Sequence, residues 1–291
     1  MQKKQTFEVL GEAAVCFAGL LTLFFGCYLF GCMLAGSLAG ELIEVIAGLF
    51  PNAIRGVKGI QGQKWIVGQE VWIPFCNTLI MVLVCLAFVL PFGIGTAVFL
   101  VEYERRGSRI AELLDFGMEL LAGIPSVLYG LFGMVFFVTT LRMGYSILAG
   151  SLTMTIVVLP LIVQTTEKAL KEVPKELREG GRGVGAGKLS VLFRLVLPEA
   201  STGILSGVLL AVGKIVGETA ALLYTSGTAE KMPESLLDSG RTLAVQLYLY
   251  SSERGGAGKE EFYTDTWRLA FFLVLFVFVL QLAARWLLRR K

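Results

Sequence analysis

The chain has 291 residues, 55% of them hydrophobic, with a formal net charge of +3 and no histidine. Soluble domains run at roughly 45 to 50% apolar residues, so burial against water does not absorb this composition, and a mean hydropathy of +0.71 makes lipid the solvent. The modest charge argues for membrane topology rather than nucleic-acid binding, and without histidine the chain lacks the commonest general base, metal ligand and proton relay.

Crossing a hydrocarbon core ~30 Å thick takes about 20 mostly apolar residues. Windows near 13–35, 74–100, 121–141, 145–164, 201–223 and 268–288 qualify or nearly so, predicting an all-α polytopic membrane protein with six transmembrane helices. The first window is too long for a removable signal peptide and lacks its small-residue cleavage pattern, so it reads as a retained anchor. Residues 36–72 form an outer segment opened by an amphipathic stretch, with Leu42, Val45, Ile46 and Leu49 on one helical face. The second window carries Pro91-Phe92-Gly93-Ile94-Gly95 near its end, which predicts a bend. Residues 102–119 interleave Arg105, Arg106, Arg109, Glu112 and Asp115 with Ile110, Leu113, Leu114 and Met118, the pattern of a helix on the cytoplasmic surface. The third window, from Ala122-Gly123-Ile124-Pro125-Ser126 to Gly133, offers the small residues by which helices approach in lipid. Between the fifth and sixth windows lies a long outer segment, 224–267, with surface for an external partner.

Sixteen of the 26 Lys and Arg residues fall in the four segments that share a side with the termini, and eight in the longer segments opposite. The positive-inside rule therefore places both termini in the cytoplasm. Cys16, Cys27, Cys32, Cys76 and Cys85 fall in or beside apolar windows without metal-ligand or disulfide spacing, and read as packing residues. No metal site and no cofactor is indicated. The chain divides into 1–71, an anchor with its outer segment, and 72–288, one helical bundle.

Between the fourth and fifth windows, Leu170, Val173, Leu177 and Val184 recur at helical spacing, with Lys168, Glu172, Lys175 and Glu179 on another face. Pro174 suits a helix start, and Gly183, Gly185 and Gly187 allow a sharp turn. A short helix, a turn and a return to the membrane at Pro198 follow. Glu179-Gly180-Gly181, Gly185, then Leu195-Val196-Leu197-Pro198 stand at the spacing E-A-A-x3-G-x9-I-x-L-P, and so resemble the signature by which membrane subunits of bacterial ABC importers hold their ATPase. Two glycines replace the two alanines, weakening local helicity by roughly 1 kcal/mol each and predicting an early helix end. The glycines do not make a phosphate loop: Gly187-Lys188 has Arg182 where the first Gly of G-x4-G-K-[ST] belongs and Leu189 where Ser or Thr belongs. ATP hydrolysis then belongs to another chain.

Lys214 and Glu218 lie one turn apart inside the fifth window. A lone Lys at a span centre costs about 2.5 to 3.5 kcal/mol, so both should face the bundle interior or a water-filled path, and at this spacing they are placed to pair. Two readings stay open: a neutral clamp between helices, or a cation that attracts an anion while Glu218 holds it until the substrate competes. Thr219, Thr225 and Ser226 add hydroxyls nearby.

With Leu100-Val101-Glu102-Tyr103, Leu121 to Gly133, Leu159-Pro160-Leu161-Ile162, Thr165 to Leu170, Val173-Pro174 and Gly217-Glu218-Thr219-Ala220 added, residues 72–285 resemble the PstA-type permeases of bacterial phosphate ABC importers. The resemblance implies a MetI-like bundle in the inner membrane, a second PstC-like permease, a PstB-like ATPase dimer and a PstS-like external binding protein. It implies phosphate as cargo and Lys214, Glu218 and Thr219 as pathway or gate residues. It further implies that Pro174, Leu177, Glu179, Gly180, Gly181, Gly185, Leu195 and Pro198, within a loop spanning 165–200, receive the ATPase. Where the family usually has Arg, this chain has Lys214, a point charge without the bidentate fork that suits phosphate. An importer for another oxyanion (sulfate, molybdate or phosphonate) fits the same pattern. An ion-coupled secondary transporter would want several mid-span carboxylates, and Glu218 alone is clearly one; a membrane enzyme would want a catalytic constellation the chain does not offer.

Overall fold

The computed structural model describes residues 69–104, 109–253, 266, 269–270 and 272–282. The first apolar window, the amphipathic stretch after it and three of the five cysteines lie outside them. The chain falls into two compact units, Met1–Lys64 with Glu253–Phe272, and Trp65–Ser252 with Leu273–Lys291; the architecture below is that of the second.

Helix α1 spans Gln69–Val98 and continues through a wider π turn, Phe99–Tyr103, so that Val71–Tyr103 makes one 33-residue apolar element. It passes through Pro91 without interruption. The irregularity lies further on, where the amide of Glu104 donates to the carbonyl of Phe99 at 3.0 Å, one residue beyond α-helical reach.

Helix α2 (Arg109–Gly123) and helix α3 (Ser126–Gly133, extended by a π turn over Met134–Thr140) meet at an angle of 100°. Proline disfavours helix at the residue before it, and Pro125, with φ −59° and ψ 141°, stands at the entry to α3. The window 121–141 is therefore not one straight span: its first residues complete α2, and the Tyr129 hydroxyl donates back across the bend to the carbonyl of Leu121.

Helix α4 (Ile147–Glu172) is the centre of the unit. Its apolar window is 61% buried, against 33% for α1 and 22% for the element that begins at Lys188. That last element comprises α6 (Lys188–Val191), a π turn (Leu192–Val196) and α7 (Leu197–Gly217), preceded by the short α5 (Lys175–Gly183). Helices α8 (Ala220–Leu223), α9 (Leu243–Glu253) and α10 (Phe272–Leu282) complete the described part. Three helices are thus long and apolar enough to cross a membrane, and four spans result if the bent pair counts as one, among the described residues.

Two apolar clusters hold the bundle. One joins Met81, Cys85 and Val89 of α1 to Met154 and Val158 of α4, Ile215 of α7, Leu222 of α8 and Val245 of α9. The other, toward the end where α1 finishes, joins Ala97, Val163, Leu170, Val173, Val191, Leu192 and Val196. At the opposite end a folded loop supplies carbonyls to the amides at the start of α4: Ile147 and Leu148 donate to the carbonyls of Asp238 and Leu236 at 3.0 and 2.9 Å, and the Ser146 hydroxyl accepts from Ala149 at 3.2 Å. Orphan donors at a helix start need such partners.

Candidate functional site: the coupling segment and the break after the seventh helix

After Glu172 the chain leaves helix. Val173 is extended and buried, Pro174 (φ −55°, ψ 141°) stands at the entry to α5, and the helix starts at Lys175. This matches the start expected near Pro174. The apolar periodicity from Leu170 to Val184 does not mark one continuous helix, however, because Pro174 cuts it. Leu170, in the last turn of α4, and Val173, just after it, are buried, whereas Leu177 and Val184 are exposed, the latter at 85%.

Nor does α5 end early at its glycines. Gly180 and Gly181 both lie inside it, and the helix runs to Gly183. A Cβ at Gly181 would stand 2.7 Å from Leu195 Cδ1 and 3.0 Å from Val191 Cγ2, so this glycine lets the outgoing and returning arms pack. Gly180 has nothing within 4 Å. The turn follows at Gly185, whose φ of +85° belongs to the left-handed region glycine enters at little cost. Pro198 sits in the first turn of α7, where its missing N–H costs nothing. Leu177, Glu179 and Pro198 are exposed and Leu195 is half-buried.

The polar groups that anchor this segment were not singled out by sequence. Arg178 Nε donates to Glu102 Oε1 at 2.9 Å, Nη1 to the carbonyl of Val173 at 3.0 Å and Nη2 to the carbonyl of Leu170 at 2.6 Å. One guanidinium thus joins α5, the end of α4 and the end of α1, and its pair with Glu102 is largely buried, the side chains 15% and 8% exposed. Next along α1, the Tyr103 ring lies under the Lys188 ammonium, 4.1 Å from its centroid. Beside these contacts opens a cavity of about 770 Å³, with Glu102, Glu112 and Asp115 among its carboxylates and Lys175, Arg178 and Arg182 among its cations.

At the other end of α7, helix stops at Gly217 and Glu218 takes an extended backbone, ψ 130°. The expected Lys214 and Glu218 pair does not form, because the i, i+4 relation holds only while the helix continues. Lys214 is exposed and its Nζ reaches the carbonyl of Val157 at 3.4 Å, while Glu218 Oε1 accepts the amide of Ala221 at 3.3 Å and caps α8. Thr219 opens α8 with its carbonyl accepting from Leu223. The hydroxyls of Thr225 and Ser226 donate to carbonyls one turn back, at 2.8 and 3.0 Å.

The binding-protein-dependent transport system inner membrane component family matches residues 89–291, which include both regions. The chain belongs to that family. Its members are permease subunits of ABC transporters, embedded in the membrane, and not enzymes themselves. The permease is similar to the "Probable ABC transporter permease protein YqgI" of Bacillus subtilis (strain 168), 30% identical over 273 residues, covering 87% of this chain and 92% of the relative. It is also similar to the "Phosphate transport system permease protein PstA 1" of Mycobacterium tuberculosis (strain ATCC 25618 / H37Rv), 31% identical over 242 residues, 82% of this chain and 74% of the relative. Among solved structures, the inward-facing MetNI methionine ABC transporter shares its fold, with a TM-score of 0.57 and 21% identity over 78% of this chain and 96% of the other.

Proposed function

We propose that this permease carries inorganic phosphate into the cytoplasm, driven by ATP hydrolysed on a separate ATPase dimer that docks at the segment 165–200. The observation that carries the cargo is the likeness to the phosphate transport permease PstA 1 over 82% of this chain. The drive is supported by the shape of the segment, an exposed helix and glycine turn whose arms lead directly into α4 and α7. Pro174, Leu177, Glu179, Gly180, Gly181, Gly185, Leu195 and Pro198 form or position the docking surface, with exposed Leu177, Val184, Leu189 and Phe193 as its apolar part.

The pathway runs past Lys214, Glu218 and Thr219. A lysine exposed on a spanning helix needs a partner chain or an aqueous path beside it, and non-helical backbone at membrane depth is tolerated where it lines a cavity. Gly217 to Thr219 meets that description once a second permease subunit closes the path. An external phosphate-binding protein delivers the ion to the side of residues 224–242, and both termini lie in the cytoplasm, in keeping with the Lys and Arg distribution.

Expression with its partner genes should restore phosphate uptake to a bacterial strain deprived of its own phosphate permease. Restored sulfate or molybdate uptake, without phosphate uptake, would assign the other oxyanion instead. Lys214→Gln should impair uptake more than assembly; equal loss of both would make Lys214 a structural residue.

A further inference from the structure

The coupling segment is covalently continuous with α4 on one side and α7 on the other, but α1 has no chain connection to it. What α1 has is its terminal π turn. Two consecutive residues of that turn, Glu102 and Tyr103, hold opposite arms of the segment: Glu102 takes Arg178 before the Gly185 turn, and Tyr103 takes Lys188 after it. Ion pairs with direct hydrogen bonds are the stronger class, and removing one partner of a buried pair leaves the other uncompensated. Arg178 cannot relax away readily, because two of its remaining donors satisfy carbonyls at the end of α4. The adjoining cavity of about 770 Å³ leaves this corner open, so these polar links are not backed by filled packing on that side.

We infer that Glu102 is a positioning residue that makes α1 move with the coupling segment, acting through Arg178 and supported by Tyr103 on Lys188. The inference rests on the ATP-driven function proposed above. Lever motion then reaches three helices together, two through the chain and the third through this clamp. A wide turn at the end of α1 suits the role, since single π turns occur at functional sites more than at random. Lysine at 178 would supply a point charge but not the fork that reaches a carboxylate and two carbonyls at once.

The test uses the full complex reconstituted in vesicles, with ATP hydrolysis and anion uptake measured on the same preparation, for whichever oxyanion the unaltered complex moves. Glu102→Ala should co-purify with its partners and keep hydrolysing ATP, while anion moved per ATP falls by about tenfold, an effect within the range found along coupling networks. Glu102→Asp should recover part of that ratio, and Arg178→Lys should lose most of it. A second readout needs no cargo: spin labels at positions 99 and 175, in a cysteine-free background, should keep one separation with and without trapped nucleotide. In Glu102→Ala that separation should change with nucleotide state. An unaltered transport ratio in Glu102→Ala would overturn the inference, as would a loss of assembly and hydrolysis together, or label distances that respond identically in both proteins.

Discussion

Two polar interruptions of the bundle turn on the same device and behave differently. The loop after α8 turns at Gly227 with φ +82°, and the coupling segment turns at Gly185 with φ +85°. Around Gly227 the space is taken: a Cβ there would meet Tyr145 Cβ at 3.0 Å, and the Ser226 carbonyl accepts from both the Gly240 amide and the Ser239 hydroxyl at 3.1 Å. Asn77, buried in α1, donates to the carbonyl of Arg241 at 3.2 Å, and Arg241 pairs with Glu230, to which Gln246 also donates. Around Gly185 there is open space. A turn enclosed by satisfied backbone groups fixes one end of the bundle, and a turn held through its arms leaves the opposite end less constrained.

That contrast can be broken, and the largest effect belongs to the loop after α8. Arg241→Leu removes the ionic partner of Glu230, leaving it Gln246 alone; breaking such a pair costs about 3 to 5 kcal/mol when fully buried, and the part-exposed Glu230 brings this to about 2 to 3 kcal/mol. Thermal unfolding of the purified protein in detergent should shift sharply downward, and an unshifted transition would mean that the loop is not the fixed end. Gly185→Val forces a β-branched residue to positive φ at about 1 to 2 kcal/mol. Here uptake should collapse while the amount of protein in the membrane stays normal; normal uptake would remove the lever interpretation.

Gly180→Ala sharpens the comparison from the opposite direction. With nothing near that position, alanine should stabilise α5 by about 1 kcal/mol, seen as a small rise in melting temperature with uptake retained. Least of all is the effect at Asp238, whose carboxylate accepts the amides of Ser235 and Glu234 and is held below its ordinary pKa of 3.8 by those bonds and by Lys231. A depressed folded pKa means the stabilisation is complete above the unfolded value and is lost as pH falls through the folded one. Hydrogen exchange at 234–238 should therefore quicken as pH drops below about 3.8 beyond the intrinsic trend, and Asp238→Asn should abolish that extra dependence.

Much of the segment around Gly185 was legible because it is local. Pro174, Gly185 and Pro198 each act on their own backbone, so a helix start, a turn and a re-entry follow from residue type alone. Windows 74–100 and 145–164 likewise mark α1 and α4, though α1 extends past its window to Tyr103. What failed was any inference that assumed a helix would continue. Leu177 and Val184 left the apolar stripe because Pro174 broke it, and Lys214 lost Glu218 because α7 stopped at Gly217 inside a run that stays apolar on both sides. Arg178 with Glu102 was illegible for another reason: the partners are separated by 76 residues, and no periodicity connects them.

The loop that caps α4 has a consequence for the order in which the molecule can be made. Ile147 and Leu148 come early in the growing chain, but the carbonyls that receive their amides, Asp238 and Leu236, are synthesised only after α5, α6, α7 and α8. Until then the central helix has an unfinished start, closed at Ala149 by Ser146 alone. A nascent chain halted before residue 236 therefore holds its helices without this latch, and the start of α4 closes late, once residues 236–238 have been made.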